Sequence, residues 1–245
     1  MPRFFVPSEN FAEKLVKITG DDARHIARAL RMAVGDEITV CDMQGRVHAC
    51  HLTKIRDEEC EAEIISSIEK NTESPVNISL YMGYPKGDKL ELIVQKAVEL
   101  GVNRIIPFES SRCVKKPKAE KADKQTERLS KIANEASKQC GRASLSEIFQ
   151  PISFSVALKT ASEKGEKILF CYEGDNTKSL KATLEKINKG EKIAVFVGPE
   201  GGFSLAEVDE AVSNGAILVN LGPRILRCET APLYALSAIS YRFEL

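Results

Sequence analysis

Residues 195–231 read VFVGPEGGFSLAEVDEAVSNGAILVNLGPRILRCETA, and their punctuation decides the fold. The apolar run Ile193 to Val197 is too short for a helix and is closed by Gly198-Pro199, which predicts a buried strand. Ser204 followed three residues later by Glu207 has the form of a capping box, so a helix is expected to start at Ser204 and to stop at Asn214-Gly215. A second apolar run, Ala216 to Leu221, ends at Gly222-Pro223. The result is strand, glycine loop, helix, strand, glycine-proline loop. Both loops fall at the carboxyl ends of strands, the edge of an open α/β sheet where ligands bind.

The same rhythm extends outward from this stretch. Strands are expected at 76–82, 103–108, 147–150, 167–172, 192–197 and 216–221, with helices at 87–100, 124–140, 153–164, 178–189, 204–214 and 230–243. Six βα units predict an α/β domain with a mostly parallel sheet covered on both faces. In the helix at 87–100, Leu90, Ile93, Val94 and Ala97 share one face, and Glu99 sits at the end a helix dipole disfavours for an anion, so Lys96 is its expected partner. The helix at 124–140 buries Leu129, Ile132, Ala133, Ala136 and Cys140, and is preceded by a lysine-rich loop, 112–124, containing Pro117.

Upstream the pattern is different. Polar residues 69–75 form the expected boundary, giving domains at 1–72 and 73–245. Short strands at 2–6 and 11–18, a helix from about Asp22 to Met32, and strands at 37–41, 46–55 and 60–68 predict a compact small β-barrel domain. The helix is expected to bury Ile26, Leu30 and Ala33 and to expose Arg24, Arg28 and Arg31 as one basic stripe. Such a stripe is either a solvated helix face or a phosphate-contacting surface.

Read alone, GPEGG is equally a tight turn or a place where a ligand meets bare backbone. The second loop adds chemistry, because Arg224, Arg227 and Glu229 lie among Ile225 and Leu226, where charges need partners or a ligand. Neither GxGxxG nor GxxxxGK[ST] occurs, so a dinucleotide fingerprint and a P-loop are excluded, and a nucleotide hydrolase is the weakest reading.

Composition is that of a globular protein: 245 residues, 43% hydrophobic and 29% charged. No apolar run reaches the length of a membrane span and the start lacks a signal-peptide core, so a cytoplasmic location and no membrane partner are expected. Seven cysteines include no CxxC pair, which predicts free thiols and no metal site. His48 and His51, three apart on a strand, should face opposite sides. Net charge is zero but uneven: residues 1–74 hold 10 Lys/Arg against 14 Asp/Glu, while 110–142 hold 10 against 4. That basic segment can track phosphates or simply be a solvated face.

The motifs GPEGGF (198–203) and LGPRILRCETA (221–231), with Arg3-Phe4-Phe5, His25 to Arg31, Gln95 to Gly101, and Glu135-Ala136 with Gln139 and Arg142, resemble the RsmE family over the whole chain. These are small-subunit ribosomal RNA uridine-N3 methyltransferases of the SPOUT superfamily. The resemblance implies a SPOUT α/β-knot methyltransferase domain with a C-terminal trefoil knot, an N-terminal PUA-like RNA-binding domain, a homodimer, and S-adenosylmethionine as cofactor. It implies methylation of N3 of one uridine of 16S rRNA in the 30S subunit, the U1498-equivalent position. The cofactor would be held by Cys171, Tyr172 and Glu173, by Gly198, Pro199, Gly201 and Gly202, and by Leu221, Gly222, Ile225, Leu226, Arg227, Thr230 and Ala231. Arg227 would stabilise charge on the uracil oxygens, with Glu229 ahead of Glu200 as proton acceptor, and Thr230 would cap the last helix. RNA contacts are expected from Arg3, Arg24, His25, Arg28, Arg31, Arg112 and Arg142. Where the family has Arg-Ser this chain has Arg112-Cys113, which leaves position 113 without an assigned role.

Two other readings remain open on the sequence: an RNA-binding module that keeps the fold without catalysis, and a SPOUT enzyme with a different RNA target.

Overall fold

The computed structural model describes residues 1–69, 72–114, 116 and 119–245. Lys70 and Asn71 of the expected boundary segment, and Lys115, Pro117 and Lys118 of the lysine-rich loop, lie outside the described residues. The chain divides into two compact units, one made of 1–73 with 137–145 and the other of 74–136 with 146–245.

The first unit is a six-stranded sheet in the order β1-β4-β5-β6-β3-β2. Its strands are β1 (Arg3–Phe5), β2 (Phe11–Ala12), β3 (Leu15–Thr19), β4 (Glu37–Cys41), β5 (Val47–Ile55) and β6 (Glu59–Ile68). All pairings are antiparallel except β1 with β4. Phe4, Val16, Ile18, Ile38 and Leu52 form its core. The helix α1 (Gly20–Arg24) passes into a π-helical turn at His25–Ala29. The wider turn shifts the side-chain phase, and Arg31 at φ +50° ends the helical path. Of the expected apolar face Ile26 is buried, with Ala23 beside it, while Leu30 and Ala33 are exposed.

The segment 137–145 belongs to this unit through a small set of polar contacts. Lys138 pairs with Asp22 at 2.8 Å and lies over the Phe4 ring. Arg142, only 3% exposed, donates to Glu73 from Nε at 3.2 Å and from Nη2 at 2.5 Å. Glu73 also accepts from the backbone N–H of Ala143 at 2.9 Å. Arg3 in turn donates to the Arg142 carbonyl at 2.8 Å.

The second unit is an eight-stranded sheet in which every pairing is parallel. Its order is β10-β8-β7-β13-β11-β14-β12, with β9 also on β8. The strands are β7 (Asn77–Gly83), β8 (Arg104–Glu109), β9 (Glu147–Ile148), β10 (Ile152–Ser153), β11 (Lys167–Cys171), β12 (Lys178–Ser179), β13 (Lys192–Val197) and β14 (Ile217–Asn220). The helices are α2 (Lys89–Glu99), α3 (Ala119–Cys140), α4 (Phe154–Glu163), α5 (Leu180–Leu184), α6 (Leu205–Ser213) and α7 (Thr230–Glu244).

Alternation along the strands divides the core between the two faces. From the central strand β13, Ile193, Val195 and Val197 pack with α2, α3, α5 and α7, while Ala194 and Phe196 pack with α4 and α6. Strand β7 repeats this, with Ile78, Leu80 and Met82 on the first face and Tyr81 on the second, stacked on Phe196 at 4.4 Å. In α2 the residues Leu90, Ile93, Val94 and Ala97 are buried, and Lys96 pairs with Glu99 at 2.8 Å.

Local signals set the helix ends where side chains and backbone agree. Ser204 and Glu207 form the capping box of α6, with Glu207 accepting from the Ser204 N–H at 2.8 Å, and Asn214 is the C-cap. Two expectations fail. The helix foreseen at 178–189 is only one short turn, α5, because Lys178–Ser179 instead joins the sheet as β12 and the Ser179 side chain caps that turn. Glu229, not Thr230, is the N-cap of α7, in helical backbone geometry and without a side-chain cap bond.

Candidate active site

Five strands of the second unit send their carboxyl ends to one edge, and the loops after β7, β8, β11, β13 and β14 line a single cleft of about 810 Å³ there. Its walls come from Lys86 and Lys89, from Arg112, from Cys171 to Gly174, from Val197 to Phe203, and from Asn220 to Cys228.

Close backbone approach shapes this edge. A Cβ on Gly201 would stand 2.9 Å from the Arg112 carbonyl oxygen, so the loop after β8 can lie on the glycine loop only because position 201 has no side chain. The Arg112 Nη1 donates to the Gly201 carbonyl at 3.2 Å, and the Ser111 N–H donates to Glu207 at 2.7 Å. One carboxylate thus caps α6 and fixes the neighbouring loop. Gly222, at φ +105°, has no atom within 4 Å of its Cβ position and opens the opposite wall.

The charged centre is built around Lys89, the first residue of α2. Its Nζ lies 3.1 Å from Glu200 Oε1, 3.1 Å from Glu229 Oε2 and 3.6 Å from Cys228 Sγ. The Lys86 N–H donates to Glu200 Oε1 at 3.2 Å, and the Cys228 thiol to Glu229 Oε2 at 3.3 Å. Glu200 Oε2 is buried without a hydrogen-bond partner among the described residues. Burial by itself pushes both carboxyls up, but their own backbone N–H groups and the Lys89 ammonium outweigh it, and both lie below the usual carboxylate range. The Lys89 ammonium is held above its ordinary value by its hydrogen bonds to Glu200 and Glu229. Burial pushes the Cys228 thiol up to about 12, with Glu229 adding to the effect. Burial also pushes Cys171 up to about 12.

All the residues expected to hold a cofactor line this cleft except Thr230, which is exposed outside it. Of the three expected catalytic residues, Arg227 and Glu200 line it, and Glu229 reaches Lys89 at its floor. Arg224 and Arg227 are exposed and have no carboxylate partner among the described residues. The sequence reading missed Lys86 and Lys89. A signal for Lys89 exists: a cation in the first turn opposes the helix dipole and calls for neighbouring carboxylates, the argument that found Lys96 for Glu99.

The expected RNA-contacting residues separate into two groups. Arg24, His25, Arg28 and Arg31 are exposed around α1, with Arg24 paired to Asp21 and Arg28 to Asp57, and Arg112 is exposed at the cleft. Arg142 is buried on Glu73, and Arg3 is engaged with the Arg142 carbonyl and Cys41. The Arg142 guanidinium is thus buried within the first unit, whereas Arg3 is half-buried. His51 pairs with Glu63, and His48 lies beside the Phe11 ring. Among the described residues no group of three or more His, Cys, Asp or Glu could hold a metal ion, and no helix is long and apolar enough to cross a membrane.

Comparison with known proteins places this geometry. Residues 72–240 match the model of an RNA methyltransferase domain, and residues 18–65 that of an RNA methyltransferase PUA domain. A ribosomal RNA small subunit methyltransferase E from Bacillus subtilis is 38% identical, over 93% of this chain and 90% of that one. The crystal structure of a ribosomal RNA small subunit methyltransferase E from Neisseria gonorrhoeae bound to S-adenosyl methionine is 32% identical, with a TM-score of 0.86 over 99% of this chain and 98% of that one. A methyltransferase from Legionella pneumophila in complex with SAM is 29% identical, with a TM-score of 0.84 over 98% and 96%. The chain therefore belongs to the ribosomal RNA small subunit methyltransferase E (RsmE) family and is a methyltransferase with a PUA-like domain.

Proposed function

We propose that this enzyme uses S-adenosylmethionine to methylate N3 of a single uridine of 16S rRNA, the U1498-equivalent position, in the 30S subunit. The observation that carries the reading is the cleft itself, which joins the GPEGG loop, the LGPRILRC loop and the Lys89 cluster. SPOUT topology with its trefoil knot, a homodimer, a cytoplasmic location and an RNA-binding role for residues 1–72 belong to the same proposal.

The residues suit the cofactor. The volume is that of a small-molecule site, Leu221, Ile225 and Leu226 offer apolar surface for an adenine, and Glu173 and Glu200 offer negative charge for a cationic ligand. Bound there, S-adenosylmethionine would supply an electrophilic methyl group. The protein must orient uracil N3 in line with it and receive the N3 proton, since the neutral imide is a poor nucleophile. Arg227 is exposed, lacks a carboxylate partner among the described residues and lines the cleft, which suits a cation that stabilises charge on the uracil oxygens. Glu229 and Glu200, ionised and bound to one ammonium, are the proton acceptors of the proposal. Arg24, His25, Arg28, Arg31 and Arg112 supply accessible groups for RNA phosphates.

Reverse transcription tests the target directly, because a methyl on N3 blocks the Watson–Crick edge. A stop at one 16S uridine, present in cells with the protein and absent from cells without it, is expected. An unchanged stop pattern would overturn the reading.

A further inference from the structure

We propose that Lys89 is a positioning residue for proton removal: its ammonium is shared between Glu200 and Glu229 so that the pair keeps one negative charge free to take the proton from the substrate nitrogen. This inference rests on the N3-methylation reading above and adds the residue that tunes it.

The geometry is a fork. One ammonium stands 3.1 Å from a carboxylate of each of two loops, the loop after β13 and the loop before α7. With all three groups ionised the cluster carries a charge of −1. Facing Lys89 are Glu200, Glu229 and Cys228, whose thiol is neutral, and further along the walls lie Lys86, Arg112, Glu173, Arg224 and Arg227. Glu200 Oε2 is buried and has no hydrogen-bond partner among the described residues, which leaves an acceptor for a ligand. Such an atom is costly unless something comes to occupy it.

The proton balance is set by this arrangement. The N3–H bond breaks and its electron pair stays on nitrogen. The proton adds to a Glu229 or Glu200 oxygen, the cluster passes from −1 to neutral, and Lys89 keeps its own proton and turns to the carboxylate that remains ionised. A single Glu–Lys pair would lack this property, because protonating its carboxylate would leave the partly exposed Lys89 ammonium without an ionised partner. Without the lysine the two carboxylates lose the charge that offsets their mutual repulsion, and the pair keeps a proton to higher pH. The two acids and the lysine titrate as a unit.

The test is the pH dependence of kcat for methyl transfer into 30S subunits at saturating S-adenosylmethionine, with the product nucleoside identified and cofactor affinity measured separately. Lys89→Met is expected to lower kcat at pH 7 by about 10-fold or more, part of the roughly 10²–10⁴-fold that general acid–base catalysis contributes, and to move the acid limb of the profile to higher pH. Lys89→Arg, which keeps the charge, is expected to restore most of the rate and the limb. Glu200→Gln leaves the ammonium wholly to Glu229, weakening it as a base, so the acid limb is expected to move to lower pH; this variant carries the test if Lys89→Met does not fold. An acid limb unmoved in Lys89→Met and Glu200→Gln would overturn the triad. If the unsubstituted enzyme forms 3-methyluridine and only the limbs fail to move, the triad alone is wrong. If it forms none, the N3 reading fails first.

Discussion

Gly83, the last residue of β7, and Pro199, the second residue of the glycine loop, meet so closely that a Cβ on Gly83 would come within 2.4 Å of Pro199 Cδ. The strand end and the loop after the adjacent strand β13 are therefore in contact through bare backbone. Gly83→Ala must push the loop off its position, at a cost of about 1–3 kcal/mol for overpacking. The expected outcome is a lowered melting temperature together with weakened S-adenosylmethionine binding by calorimetry, since Glu200 comes directly after Pro199.

Arg227 has no carboxylate partner to lose among the described residues, so replacing it should leave stability within about 0.5 kcal/mol of the parent. Arg227→Ala is expected to lower kcat by about 10²-fold if it stabilises charge on the uracil, with cofactor affinity little changed. Single-turnover rates at saturating cofactor separate these effects. A normal rate with weakened cofactor binding would make Arg227 a binding residue.

The Glu73–Arg142 pair makes a pH prediction for the first unit. Burial pushes the Glu73 carboxyl up, but Arg142 and the Ala143 N–H outweigh it and hold it below the usual carboxylate range. A carboxylate depressed on folding contributes stability above its unfolded value of about 4.5, and that contribution disappears as pH falls through its lower folded value. Melting temperature should therefore drop as acid is added below about pH 4.5. Glu73→Gln should cost about 3 kcal/mol at pH 7, because it takes the carboxylate charge away from the buried Arg142 guanidinium, and should flatten the acid-side dependence.

Cys171 and Cys228 line the cleft, yet burial pushes both thiols up to about 12. The thiolate is the reactive form, so both are expected to alkylate slowly at pH 8 in the native protein and readily once it is unfolded. Mass spectrometry of iodoacetamide-treated protein reads each site. Rapid native labelling of Cys228 would contradict the neutral-thiol environment assigned to it.

Much of the second unit was legible because its signals are local. The Ser204–Glu207 capping box, the stop at Asn214-Gly215 and the strand runs closed by Gly-Pro act within a few residues, and the structure has them where the sequence puts them. The glycine loops at 198–202 and 221–231 were legible for the same reason. What was hidden depends on long-range partners or on small changes of phase. Lys89 acquires meaning only when residues more than a hundred positions away arrive beside it. The burial of Arg142 was hidden because Glu73, its partner, lies in a different stretch of the chain. Leu30 and Ala33 matched a helical face that the π turn at His25–Ala29 dissolves, and Lys178–Ser179 was drawn into the sheet by pairing with β14.

The most direct test of the central claim is transfer of labelled methyl from S-adenosylmethionine by the purified protein into 30S subunits from cells that lack it, with digestion and identification of the labelled nucleoside. Label recovered as 3-methyluridine is the predicted result. Label in any other nucleoside, or none with cofactor binding intact, would contradict the assignment of N3 of a small-subunit uridine as the methyl acceptor.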